Sequence, residues 1–150
     1  MLAYRLPREP STPRIALWRK LRRLGAAQLL DGLIALPCDS RTREALEWTA
    51  EEVVEAGGEA SLWIASPASK ALERALASHM ADAIADEYRA VAVDARAAER
   101  RDARAGRRTL GRLRRELLRI RHRDYFPPRE RSEAEAAVAE LARALDEAAA

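Results

Sequence analysis

The sequence predicts an α+β chain, with a small ferredoxin-like βαββαβ sheet domain followed by a helical hairpin and a C-terminal helix. Three observations carry that prediction. Short apolar runs punctuated by Pro7, Gly25, Asp31-Gly32 and Gly57-Gly58 fill the first 66 residues, as strands and turns require. From Pro67 onward the apolar residues recur at three- and four-residue spacing, the period of a helix. The composition is rich in Ala, Leu, Arg and Glu, the strong helix formers.

The first strand is Leu2-Ala3-Tyr4-Arg5-Leu6, closed by Pro7. Ser11-Thr12-Pro13 reads as a helix start, with a hydroxyl N-cap and proline at the first helical position. That helix runs to about Leu24, with Ile15, Trp18 and Leu21 on one face beside Leu17 and Leu24, and Gly25 stops it. Ala26–Leu30 and Leu33–Pro37 flank Asp31-Gly32, the strongest short signal for a hairpin. Thr42 to Ala56 is a second helix with Leu46, Trp48 and Val53 inward and Glu44, Glu47, Glu51, Glu52 and Glu55 outward. Ala60–Ala65 is the fourth strand, and Ser66-Pro67 repeats the cap-plus-proline start. Short connections and right-handed crossovers fold this order as a split βαβ with both helices on one sheet face.

In the second part, residues 67–150, Leu72, Leu76, Met80, Ile84 and Tyr88 form a stripe that needs a packing partner. No large apolar residue falls between Asp94 and Thr109, and Gly106 and Gly111 weaken the helix there. A turn near residues 102 to 108 lets Leu110, Leu113, Leu117 and Ile120 return antiparallel along the first helix, sealed by Leu76, Met80 and Ile84. Pro127-Pro128 breaks the run, and Ser132 with Glu135 reads as a capping box for a last helix carrying Val138, Leu141 and Leu145.

A chain of 150 residues can bury roughly 70% of its unfolded surface, so a core is attainable. Of the 27 basic residues, 25 are arginine, and their distribution is uneven although the net charge is only +3. From Arg96 to Arg131 fourteen arginines face five acids, a local excess of +9 that leaves −6 for the rest. A local field of that size steers a polyanion, whatever the average. The lone Cys38 cannot form an internal disulfide and reads as a packing residue, and no long apolar stretch suggests a leader or membrane span. A cytoplasmic protein is expected.

Catalytic patterns are weak. His79 and His122 lie far from Cys38 and from any paired acid, whereas a zinc site needs three or four ligands. No phosphate loop, nucleophile elbow or HExxH occurs, and the glutamates fit solvated helix faces. No enzyme, metal or cofactor is expected. Trp18, Trp48 and Trp63 read as core side chains of their elements.

Tyr4-Arg5-Leu6-Pro7-Arg8-Glu9-Pro10-Ser11-Thr12-Pro13-Arg14, Leu17-Trp18-Arg19 and Leu24-Gly25-Ala26 resemble the N-terminal domain of chromate-resistance regulators of the ChrB type. The resemblance continues through Asp31-Gly32, Glu47-Trp48, Gly57-Gly58-Glu59-Ala60 and Arg123-Asp124-Tyr125-Phe126-Pro127. Full-length members of that family repress chromate-efflux operons, and for this chain the resemblance implies the N-terminal role alone, DNA or regulatory binding. Full-length members carry a C-terminal domain associated with chromate sensing, which is not expected in these residues. The βαββαβ half is also similar to PaaX-type repressors and to the small CRISPR adaptation protein. The latter family places a metal-binding aspartate at the end of its first strand, where this chain has Tyr4-Arg5-Leu6. Arginine repels a metal and grips phosphate instead, so nuclease chemistry is not expected.

The predicted function is therefore regulatory nucleic-acid binding, to duplex DNA as a homodimer, with a separate sensor-domain protein as a further partner. The candidate contacts are Arg5, Arg8, Arg14, Arg108, Arg112, Arg115, Arg119 and Arg123. The last four recur at three or four residues, so one helix stripe could track a phosphate backbone. The alternative is a non-enzymatic interaction module that oligomerises through its helical arm, its arginines meeting acidic helices such as Thr42 to Ala56.

Overall fold

A computed structural model describes residues 1–149. Their element order is β1 (Leu2–Arg5), α1 (Thr12–Leu24), β2 (Ala27–Leu30), β3 (Leu33–Ala35), α2 (Ser40–Glu55), β4 (Glu59–Leu62), α3 (Lys70–Ala98), α4 (Ala103–His122) and α5 (Glu130–Glu147). The chain divides into two compact units, Met1–Leu76 and Ala77–Ala150. No helix among the described residues is long and apolar enough to cross a membrane.

In the first unit four antiparallel strands lie in the order β2-β3-β1-β4. The β2–β3 connection turns at Gly32, whose φ of 75° suits glycine, and a Cβ there would run into the Tyr4 carbonyl oxygen. Tyr4 N–H donates to Gly32 O at 2.7 Å, tying this turn to β1. Leu2, Ile34, Leu17, Leu21, Leu46 and Val53 form the core. Gly25, at φ 73°, ends α1, with its N–H and that of Ala26 donating to the last-turn carbonyls of Arg22 and Leu21.

Several local expectations are corrected. The helix start at Ser11 has no side-chain cap, and Thr12 and Pro13 already lie in the first turn. Helix α2 begins at Ser40 under an unforeseen cap, Asp39, whose carboxylate accepts from Thr42 N–H while Thr42 Oγ1 accepts from Asp39 N–H. The hydrogen bond holds the Asp39 carboxyl below the usual range. Cys38 is exposed rather than packed.

All three tryptophans are exposed, at 53%, 60% and 59% for Trp18, Trp48 and Trp63, against the core role expected of them. The reason is phase. Leu17 and Leu21 set the inward face of α1, and each residue turns about 100°, so Trp18 and Ile15 swing outward. On α2 the inward positions are Thr42, Leu46, Thr49 and Val53. Thr49 can be buried because its hydroxyl donates to Ala45 O at 2.6 Å on the same helix, and Trp48 is displaced to the outer side. Strand β4 ends at Leu62 rather than Ala65, and alternation puts Trp63 on the face of Ser61, to whose Oγ its indole N–H donates at 2.9 Å.

The second unit is built on α3, α4 and α5, with Ile84, Tyr88, Val91, Leu110, Leu113, Leu117, Ile120, Val138, Leu141 and Leu145 at its centre. Helix α3 starts at Lys70, not at Ser66-Pro67, because Ser69 Oγ accepts from Leu72 N–H. The reversal falls at residues 99–102 and not around Gly106, since Asp102 caps α4 by accepting from Ala105 N–H at 2.9 Å. Gly106 instead makes room for α5, and a Cβ there would stand 2.7 Å from Leu145 Cδ2. The hydrophobic seam begins at Ile84, whereas Leu76 and Met80 are only partly covered and Leu72 is exposed. The proposed Ser132–Glu135 capping box is absent, because α5 starts at Glu130 and Glu135 is bound by Arg121 and Arg131.

Candidate nucleic-acid interface

The inward face of α4 is Gly106, Leu110, Leu113, Leu117 and Ile120. At 3.6 residues per turn the side opposite that face carries Arg104, Arg108, Gly111 and Arg115. Arg104, Arg108 and Arg115 are exposed, and among the described residues none has an ion-pair partner. The first and last lie eleven residues apart, about 16 Å of helix at 1.5 Å per residue. Arg107 and Arg114, also exposed, flank the ridge, and Glu116, partly covered to one side, is the only acid on this helix. Three guanidinium forks without competing carboxylates can therefore take phosphate oxygens.

The residues selected from spacing meet different fates. Arg108 and Arg115 stand on the open ridge. Arg112 pairs with Asp94 of α3 at 2.6 Å, and Arg119 with Glu116 at 3.1 Å. Arg123 grips both carboxylate oxygens of Glu87 at 2.5 Å, which raises its pKa, and is only 22% exposed. In the first unit Arg5 holds Glu59 through both carboxylate oxygens, at 3.0 and 2.9 Å, while Arg8 and Arg14 are exposed. Four of the eight thus carry an acid already. Arg104 lies outside the stripe read from spacing, and the phase of the buried leucines is the signal that finds it.

The other end of α4 shows where arginine builds structure instead. Tyr88 OH, inside the core, donates to Asp124 Oδ2 at 2.8 Å, and burial followed by this bond pushes the phenol pKa up. Arg131 reaches the same oxygen at 3.5 Å, and Asp124 Oδ1 is buried without a partner. Glu135 takes Arg121 at 2.6 Å and Arg131 at 3.0 Å. Burial pushes the Glu135 carboxyl up, but the two arginines outweigh it and hold it below its ordinary range. Arg89 donates to Glu130 at 3.1 Å. These pairs lock α3, α4 and α5 together, so their arginines are committed.

No group of three or more His, Cys, Asp or Glu among the described residues could hold a metal ion. Residues 14–104 match the model of the family described as Protein ChrB, N-terminal. No curated protein and no solved structure matches the chain.

Proposed function

The chain belongs to the ChrB N-terminal family, and from that premise we propose that it is a regulatory nucleic-acid-binding protein of the chromate-resistance type, acting on duplex DNA as a homodimer without catalysis. The observation that carries the proposal is the unpaired ridge of Arg104, Arg108 and Arg115 on α4. Each arginine that neutralises a phosphate releases counterions, giving affinity that is independent of base sequence and sensitive to salt. Arg8 and Arg14 would add contacts from the first unit. We read that unit as the ferredoxin-like split βαβ arrangement, which its element order and strand order support. The test is binding of a labelled duplex across a salt series. Affinity that falls linearly with the logarithm of salt supports the proposal, and absence of binding at low salt removes it.

A further inference from the structure

We propose that the outer ridge of α2 docks antiparallel on the outer ridge of α4 in a second copy of this chain, with Trp48 seated over Gly111. On α2 the side away from the buried Thr42, Leu46, Thr49 and Val53 carries Glu44, Trp48, Glu51 and Glu55, at positions i, i+4, i+7 and i+11. On α4 the corresponding side carries Arg104, Arg108, Gly111 and Arg115 at the same spacing. Laid antiparallel, the two ridges bring Glu44 to Arg115, Trp48 to Gly111, Glu51 to Arg108 and Glu55 to Arg104. Both are about 16 Å long, and all six charged residues are exposed with no ion pair among the described residues. Three carboxylates thus face three guanidinium forks in one register.

Two features unrelated to charge support this occupant. Trp48 leaves a large apolar ring 60% exposed between acids, which the chain's own core does not use. Gly111 stands mid-helix, where glycine weakens the helix relative to alanine, yet a Cβ there would meet nothing nearer than Arg115 Nη1 at 3.7 Å. Gly106 is required by Leu145, but nothing packed around Gly111 requires the lack of a side chain. A flat place in the ridge, flanked by Arg108 and Arg115, lets an indole lie against backbone with guanidiniums at its faces. The contact does not rest on the nucleic-acid function and is distinct from the homodimer invoked for DNA binding, because it covers the same arginines and a polyanion would compete with it.

Sedimentation velocity without nucleic acid tests the docking on four proteins, each checked for folding by circular dichroism. They are the wild type, Glu44→Arg/Glu51→Arg/Glu55→Arg, Arg104→Glu/Arg108→Glu/Arg115→Glu, and Gly111→Leu. The wild type should associate at about 0.1 M salt and dissociate at about 1 M, as the Debye length falls from ~10 to ~3 Å. Each charge-reversed variant should be monomeric, and their equimolar mixture should form a mixed complex. Gly111→Leu keeps every charge and improves helix propensity, yet should weaken association by roughly tenfold or more by blocking the indole. A wild type that is monomeric at low salt, a mixture that stays monomeric, or a Gly111→Leu protein that associates like the wild type would each overturn the proposal.

Discussion

Arg108→Ala/Arg115→Ala separates the open ridge from the arginines already engaged. Neither side chain has an acid of its own chain to release, so in the dissociated protein each can spend its whole interaction on phosphate. A phosphate contact contributes about 0.9 to the slope of log affinity against log salt, so the double variant should flatten the slope by about 1.8 units. At about 0.1 M salt that is roughly a 60-fold loss of affinity, or about 2.5 kcal/mol, and nearly the same for every DNA sequence. Stability should change by less than ~0.5 kcal/mol, because both positions are exposed. Arg123→Ala is the internal contrast. Its guanidinium is bound to both oxygens of Glu87, so the slope should not change, while stability drops by about 1 to 3 kcal/mol. The assay is fluorescence anisotropy of a labelled duplex over a salt series, with denaturant unfolding alongside. An unchanged slope in the double variant, or a flattened one in Arg123→Ala, would refute the assignment of phosphate contacts to the ridge.

Leu113→Ala, at a position with 0% exposure in the second unit, should cost about 2 to 5 kcal/mol in urea unfolding, whereas Leu76→Ala should cost under about 1.5 because that side chain is only partly covered. Gly32→Val should destabilise the first unit by more than about 2 kcal/mol, since it combines positive φ with a clash on the Tyr4 carbonyl, and near-wild-type thermal stability would contradict the turn geometry. Tyr88→Phe should cost about 1 to 3 kcal/mol by leaving Asp124 Oδ2 with the distant Arg131 alone, and Tyr88→Phe/Asp124→Asn should show strong non-additivity. The Glu135 carboxyl is held below its ordinary value, so it contributes stability above an unfolded pKa of about 4.3 that is lost as pH falls through the lower folded value; Glu135→Gln should flatten the acid limb of the unfolding curve there.

Local chemistry in the sequence determined much of the fold. Asp31-Gly32 between apolar runs specifies a turn, Gly25 ends α1, Pro127-Pro128 separates α4 from α5, and Leu110, Leu113, Leu117 and Ile120 specify a helix face by spacing. The density of arginine between Arg96 and Arg131 likewise marked the region of the candidate interface. What needed tertiary structure was phase and pairing. Polarity alone does not mark Thr42 and Thr49 as buried, because only the folded chain shows their hydroxyls satisfied by Pro37 and Ala45 carbonyls, and so spacing by itself puts Trp48 on the wrong side of α2. The reversal between α3 and α4 lies at residues 99–102 rather than near Gly106 because Asp102 caps α4 and Leu145, on the distant α5, claims the glycine's space. Spacing along the arginine run makes Arg112, Arg115, Arg119 and Arg123 equivalent, yet Asp94 and Glu87 on α3 and Glu116 on α4 neutralise three of them. A sequence records which charges exist, but which of them remain free depends on what the folded chain places within about 4 Å.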